Sequence, residues 1–152
     1  MPMLMLAAAP FSHGRATFLD ALPIRRGRPG IFVNIAVQGL DDPFLALLDT
    51  GSEYSVIDRQ IAEEAGLLDG EVLRATKVSF RGGESPGKLL RTTVTLFADP
   101  GEGGSLDVDA TVFVPDEPWI GSPTSFIGYS GFLERVRIAL APQENHFYFG
   151  GY

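Results

Sequence analysis

The segment Ala46-Leu47-Leu48-Asp49-Thr50-Gly51-Ser52 puts a carboxylate at the end of a wholly apolar run, followed by a hydroxyl residue, a glycine and a second hydroxyl. A buried charge there is costly unless it is hydrogen-bonded or shares a proton, so the position suits a working acid or base. Gly51 lets the backbone turn tightly and bring its N–H towards the carboxylate. Thr50 and Ser52 offer hydroxyl partners. The same residues also fit a plain Asx-turn, in which Asp49 serves only its own loop.

Other groupings carry less chemistry. Gly128-Tyr129-Ser130-Gly131 approaches the serine-hydrolase elbow, but its second glycine comes one position early and the histidines, His13 and His146, sit in terminal segments. Asp41-Asp42 before Pro43 reads as turn chemistry, Glu63-Glu64 as a solvated helix face, and Asp107 with Asp109 as an outward acidic stripe. Gly101-Glu102-Gly103-Gly104 does not stand between a strand and a helix, which removes the phosphate-cradle reading. The chain has no cysteine, so thiol catalysis, disulfides and thiolate metal sites are excluded. Neither a metal nor an organic cofactor is expected. Trp119 and Tyr129 fit a cleft or a core equally well.

The elements that must position Asp49 are mostly strands. Ile31, Val33, Ile35 and Val37 alternate with other residues at period two, and Gly39 to Pro43 forms a turn into Phe44–Leu48, read as a second strand buried on both faces. These two form a hairpin. Asp58 caps one helix over roughly Arg59 to Ala65, which Gly66 stops. A strand follows over Val72–Phe80, and Arg81 to Gly87 reads as a mobile connection. The clearest alternation runs through Leu90, Thr92, Val94, Leu96 and Ala98, and again through Leu106, Val108, Ala110, Val112 and Val114. Val136, Ile138 and Leu140 alternate later, and Phe147-Tyr148-Phe149 makes an aromatic strand. The total is seven or eight strands with one or two short helices, an all-β, barrel-like chain.

At 152 residues this is one domain, read as residues 31–152 behind an N-terminal extension of residues 1–30 that is either flexible or docked. The net charge of −7 repels phosphate backbones and anionic membranes, so no nucleic-acid or membrane partner is expected. The basic cluster Arg25, Arg26 and Arg28 reads as a solvated stretch. The apolar start lacks a preceding Lys or Arg, and no run reaches membrane-span length, so a soluble, cytoplasmic protein is expected.

Asp49-Thr50-Gly51-Ser52 on an apolar strand resembles the active-site loop of retropepsin-like aspartic proteases. Phe126-Ile127-Gly128 stands where that family has its late apolar-apolar-glycine segment, which packs beside the catalytic loop and opens a short helix. Phe132-Leu133-Glu134-Arg135 continues as that helix would. Arg81, Gly82, Gly83, Glu84, Ser85, Pro86 and Gly87 fall where the flap belongs. After the late glycine, family members often carry Arg and Asp or Asn, whereas this chain has Tyr129, Ser130 and Gly131.

The resemblance spans roughly Ile31 to Phe149 and implies a closed acid-protease barrel hydrolysing peptide bonds. Such chemistry uses two carboxylates about 3 Å apart sharing one proton. One chain supplies only one, so the resemblance implies a homodimer with Asp49 of each copy at the two-fold axis and a peptide or protein substrate. It further implies that Thr50 bonds across the dimer and that Ser52 bonds the outer carboxylate oxygen, giving an acidic optimum. The aromatic end, His146 to Tyr152, would build the dimer sheet unless the N-terminal extension covers that edge. The alternative is a non-catalytic peptide- or partner-binding module of the same fold.

Overall fold

The computed structural model describes residues 4–23 and 28–152. Arg25 and Arg26 of the basic cluster lie outside the described residues. The N-terminal arm supplies β1 (Met5–Leu6), β2 (Ala9–Pro10) and β3 (Gly14–Thr17). Then follow β4 (Phe32–Val37), β5 (Phe44–Leu48), β6 (Ser55–Val56), α1 (Arg59–Glu64), β7 (Val72–Phe80), β8 (Gly83–Leu96), β9 (Leu106–Pro115), β10 (Phe126–Ile127), β11 (Arg137–Ala141) and β12 (His146–Gly150).

Six strands close a barrel in the order β4-β5-β10-β6-β9-β8, with β8 pairing back to β4 through Ile35↔Leu96 and Val37↔Val94. The alternation read in β8 and β9 is realised as an unbroken antiparallel ladder from Gly87↔Pro115 to Leu96↔Leu106. Inside the barrel, Val33, Ile35, Leu90, Val94, Ala110 and Val112 are buried, together with Phe18 from the arm. Such a core is dense enough that each lost methylene is felt.

The helix forms where expected. The Asp58 carboxylate accepts from the N–H groups of Gln60 (2.8 Å) and Ile61 (3.3 Å), satisfying two donors that the helix cannot. Ala62 is its buried anchor.

Three expectations are corrected. Within β5 only Ala46 is fully buried; Phe44 and Leu48 pack half-buried on the core, while Leu47, half-buried on the opposite face, lines a cleft. The connection after β7 is a two-residue turn, Arg81-Gly82, with both residues at positive φ (49° and 82°), and Gly83 to Gly87 already belong to β8. That turn geometry matches the twist of the flanking strands. Pro86 is accommodated because β9 joins β8 only from Gly87 onward. The helix expected to open at Gly128 is a single 3-10 turn, Leu133–Arg135.

The terminal residues form a second, three-stranded sheet, β11-β12-β3. The arm's β3 lies antiparallel to β12, pairing Gly14↔Phe149 and Ala16↔Phe147, while β11 occupies the other side. Both edges of the aromatic strand are therefore used within one chain. The arm is tied further by bridges between Leu19 and Phe32 and by the Arg15–Glu102 ion pair at 3.0 Å. Among the described residues, no helix is long and apolar enough to cross a membrane.

Candidate active site

Asp49 leaves the end of β5 beside β10. The two strands run parallel, with Leu47 opposite Phe126 and Leu48 opposite Ile127. Leu47 N–H donates to Ser125 O (3.1 Å) and Asp49 N–H donates to Ile127 O (2.9 Å), so β10 sets the height at which the aspartate emerges. The loop then folds on itself: Ser52 N–H donates to Asp49 O (3.1 Å), and Gly51 N–H donates to Asp49 Oδ1 (3.0 Å). This last bond is the Asx-type contact expected from sequence. It orients the carboxylate at the mouth of a cleft, where Asp49 is half-buried and Thr50 and Gly51 are exposed.

Residues after β10 brace the far side of the loop. Tyr129 N–H donates to Ser52 O (2.9 Å), and Ser130 N–H donates to Glu53 O (2.7 Å). Gly128 is forced by close packing. Its N–H donates to Ser55 Oγ (2.9 Å), and an added Cβ would overlap the Tyr54 carbonyl. Phe126 and Ile127 thus lie alongside Leu47 and Leu48, with Ile127 O holding the Asp49 N–H, while Gly128 packs against Tyr54 and Ser55 just beyond the loop. The Ser52 hydroxyl differs from expectation, because its single proton goes to Tyr54 O (2.7 Å) and not to the Asp49 carboxylate.

The hairpin β7–β8 roofs the cleft. Phe80 stacks on Trp119 with ring centroids 3.6 Å apart and planes 9° apart, and meets Phe126 edge-on at 6.0 Å. Trp119 Nε1 donates to Ser85 Oγ (2.7 Å), fixing the indole to the second strand of the hairpin. Phe80 and Phe126 border two compartments that meet at Asp49. The smaller, about 260 Å³, is lined by Ser52, Tyr54, Val78 and Trp119; the larger, about 740 Å³, by Arg28, Phe32, Leu47, Arg81 and Pro123.

Of the seven flap candidates, Arg81 lines the cleft and Ser85 anchors Trp119. Gly82 completes the turn and Gly83 opens β8. Glu84 pairs outward with Lys77 at 3.9 Å, Pro86 lies in the strand, and Gly87 is buried against Phe113. Sequence reasoning missed Ser79, Phe80 and Phe32 as cleft residues, although the half-buried alternation of Thr76, Val78 and Phe80 in β7 points their side chains to one face. It also took Arg28 as merely solvated.

The other constellations do not assemble. His13 and His146 belong to the terminal sheet region, while Ser130 bridges to Tyr54 beside the Asp49 loop. A groove of about 780 Å³ on the outside of β8 and β9 is larger than either compartment, but its acids are committed. Asp107 accepts from Thr95 Oγ1 (2.6 Å), and Asp109 pairs with Arg91 (2.8 Å). The hydrogen bond and charge of Asp109, with the charge of Glu71, raise the Arg91 pKa further.

No family model matches the chain. No curated protein matches it either. Among solved structures, it superposes on the crystal structure of the retroviral protease-like domain of Ddi1 from Leishmania major with a TM-score of 0.55, at 17% identity over 80% of this chain and 94% of that one. Together with the six-stranded closure, this likeness makes the chain an all-β protein with a retropepsin-like closed barrel.

Proposed function

We propose that this protein is an aspartic endopeptidase that works as a homodimer, with Asp49 of each copy forming a shared-proton pair. The observation that carries the reading is the presentation of Asp49. It stands at the end of a barrel strand, pinned by Ile127 O and Gly51 N–H, at the junction of two compartments under a hairpin. None of the five ion pairs among the described residues involves it. Thr50 and Gly51 are exposed next to it, and Tyr129 is 55% exposed, so this end of the barrel is open to a second copy.

In the dimer, one carboxylate takes a proton from a water held between the pair, and the resulting nucleophile attacks the scissile carbonyl. The other carboxyl gives its proton to the carbonyl oxygen. Collapse of the tetrahedral species returns a proton to the leaving amine and restores the shared-proton state. Thr50 braces the two loops across the axis. An extended peptide lies beneath the paired hairpins, with side chains entering the compartments on alternate sides.

The test is cleavage of a mixed peptide library, read by mass spectrometry from about pH 3 to 7, the range in which shared-proton dyads work. Wild-type cuts should rise faster than linearly with protein concentration and disappear in Asp49→Asn. Cuts that survive the substitution, or that scale linearly throughout, sink the proposal. One observation favours the second reading, a non-catalytic peptide-binding module: the Ser52 hydroxyl is turned to Tyr54 O, away from the carboxylate. Peptide binding without cuts at any concentration would establish that module instead.

A further inference from the structure

We propose that the larger compartment reads a side-chain carboxylate of the bound peptide, with Arg81 as the specificity-determining residue and Arg28 as a second cation. This rests on the peptide-cleaving reading and adds a substrate class to it. Arg81 is held in a fixed position by neutral groups. Its guanidinium lies 4.6 Å over the Phe80 ring, Nη1 donates to Ile120 O, and Nη2 donates to Pro123 O (3.4 Å). Gly121, at φ +99°, leaves the space the guanidinium fills, since a Cβ there would overlap it.

None of these partners carries a negative charge. The five ion pairs among the described residues use Arg15, Arg59, Lys77, Lys88 and Arg91, and neither Arg81 nor Arg28. Among the described residues, Asp49 is the one carboxylate lining the larger compartment. A guanidinium has five N–H donors in a planar fork that suits a carboxylate, and the two carbonyls leave donors unused. The smaller compartment differs: among the described residues its lining includes Glu53 and aromatic rings but no Arg or Lys, and the nearby Arg74 is engaged by the Tyr54 hydroxyl (3.2 Å). A peptide strand sends successive side chains to opposite sides. In each copy, the preferred substrate therefore places Asp or Glu in the Arg81 compartment and an apolar residue in the Trp119 compartment.

The experiment uses amidated peptides in which a single Glu, Gln or Lys is moved through each position in turn. Binding to the full-length Asp49→Asn variant is read from the emission of Trp119, the one tryptophan in the chain, and wild-type kcat/KM is measured alongside. At one position the Glu peptide should bind about tenfold more tightly than its Gln twin, as expected for a charge-assisted hydrogen bond. Arg81→Gln should erase that preference, and Arg81→Glu should turn it towards Lys, an inversion that requires a folded protein. Equal binding of Glu and Gln peptides at every position overturns the inference, as does a Glu preference that survives Arg81→Gln. If the wild type cuts nothing while the Glu preference in binding holds, the protease reading fails and the carboxylate site stands. If it cuts all three peptides with equal kcat/KM, the reverse is true.

Discussion

The barrel interior and the aromatic wall beside Asp49 are built by neighbouring residues of the same two strands. Leu90 and Val112 face each other inside the barrel, while Leu89 and Phe113, one residue away, face each other on the other side. The interior gathers side chains from the barrel strands, α1 and the arm. The wall has only Val56, Leu89 and Phe113 fully buried, with Tyr54, Val78, Trp119 and Phe126 half-exposed around them. The same strand pair thus makes a rigid frame on one face and an adjustable surface on the other. Its outer face links the hairpin to the Asp49 loop through Phe80, Trp119 and Phe126.

Substitutions can break or sharpen that contrast. The largest effect is expected from Gly128→Ala, whose methyl overlaps the Tyr54 carbonyl just after the Asp49 loop. It should lower stability by about 4 kcal/mol or abolish soluble folding, read by thermal melting. Leu90→Ala, at a fully buried position, should cost about 3 kcal/mol in urea unfolding and leave the native Trp119 emission unchanged. Leu89→Ala should cost less, about 2 kcal/mol, because half-exposed neighbours can settle into the gap, but it should shift the emission. Equal costs and equal spectra for the two leucine variants would erase the distinction between frame and wall. Removing the helix cap with Asp58→Ala should cost about 1 kcal/mol with no spectral change. Asp49→Asn should alter stability by no more than about 0.5 kcal/mol while removing all cleavage, which separates the chemistry from both clusters.

How legible these regions were depends on how locally they are encoded. The ladder of β8 and β9 shows in the alternation of Leu90 to Leu96 and Val108 to Val114, because a half-buried sheet imposes that period on its own residues. The Asp49 loop is legible for the opposite reason, a polar break at the end of an apolar run. By contrast, β6 and β10 have two residues each and display no period, although they close the barrel. The arm's Gly14-Arg15-Ala16-Thr17 becomes a strand only because β12 offers it an edge. The Phe80–Trp119 stack and the Arg81 contacts with Ile120 and Pro123 join residues about forty positions apart, and nothing in either segment announces the other.

The placement of β3 along β12 has a bearing on whether copies of this chain stay apart. His146-Phe147-Tyr148-Phe149-Gly150 is rich in aromatic residues, free of proline and low in charge, the composition of segments that stack on copies of themselves. With β11 on one flank and β3 on the other, it presents no unpaired backbone to a neighbouring molecule. The N-terminal arm thereby acts as a built-in guard against self-assembly. Proteolytic loss of the first twenty residues would leave the most aromatic strand described in the chain with one backbone edge unpaired, the starting condition for aggregation.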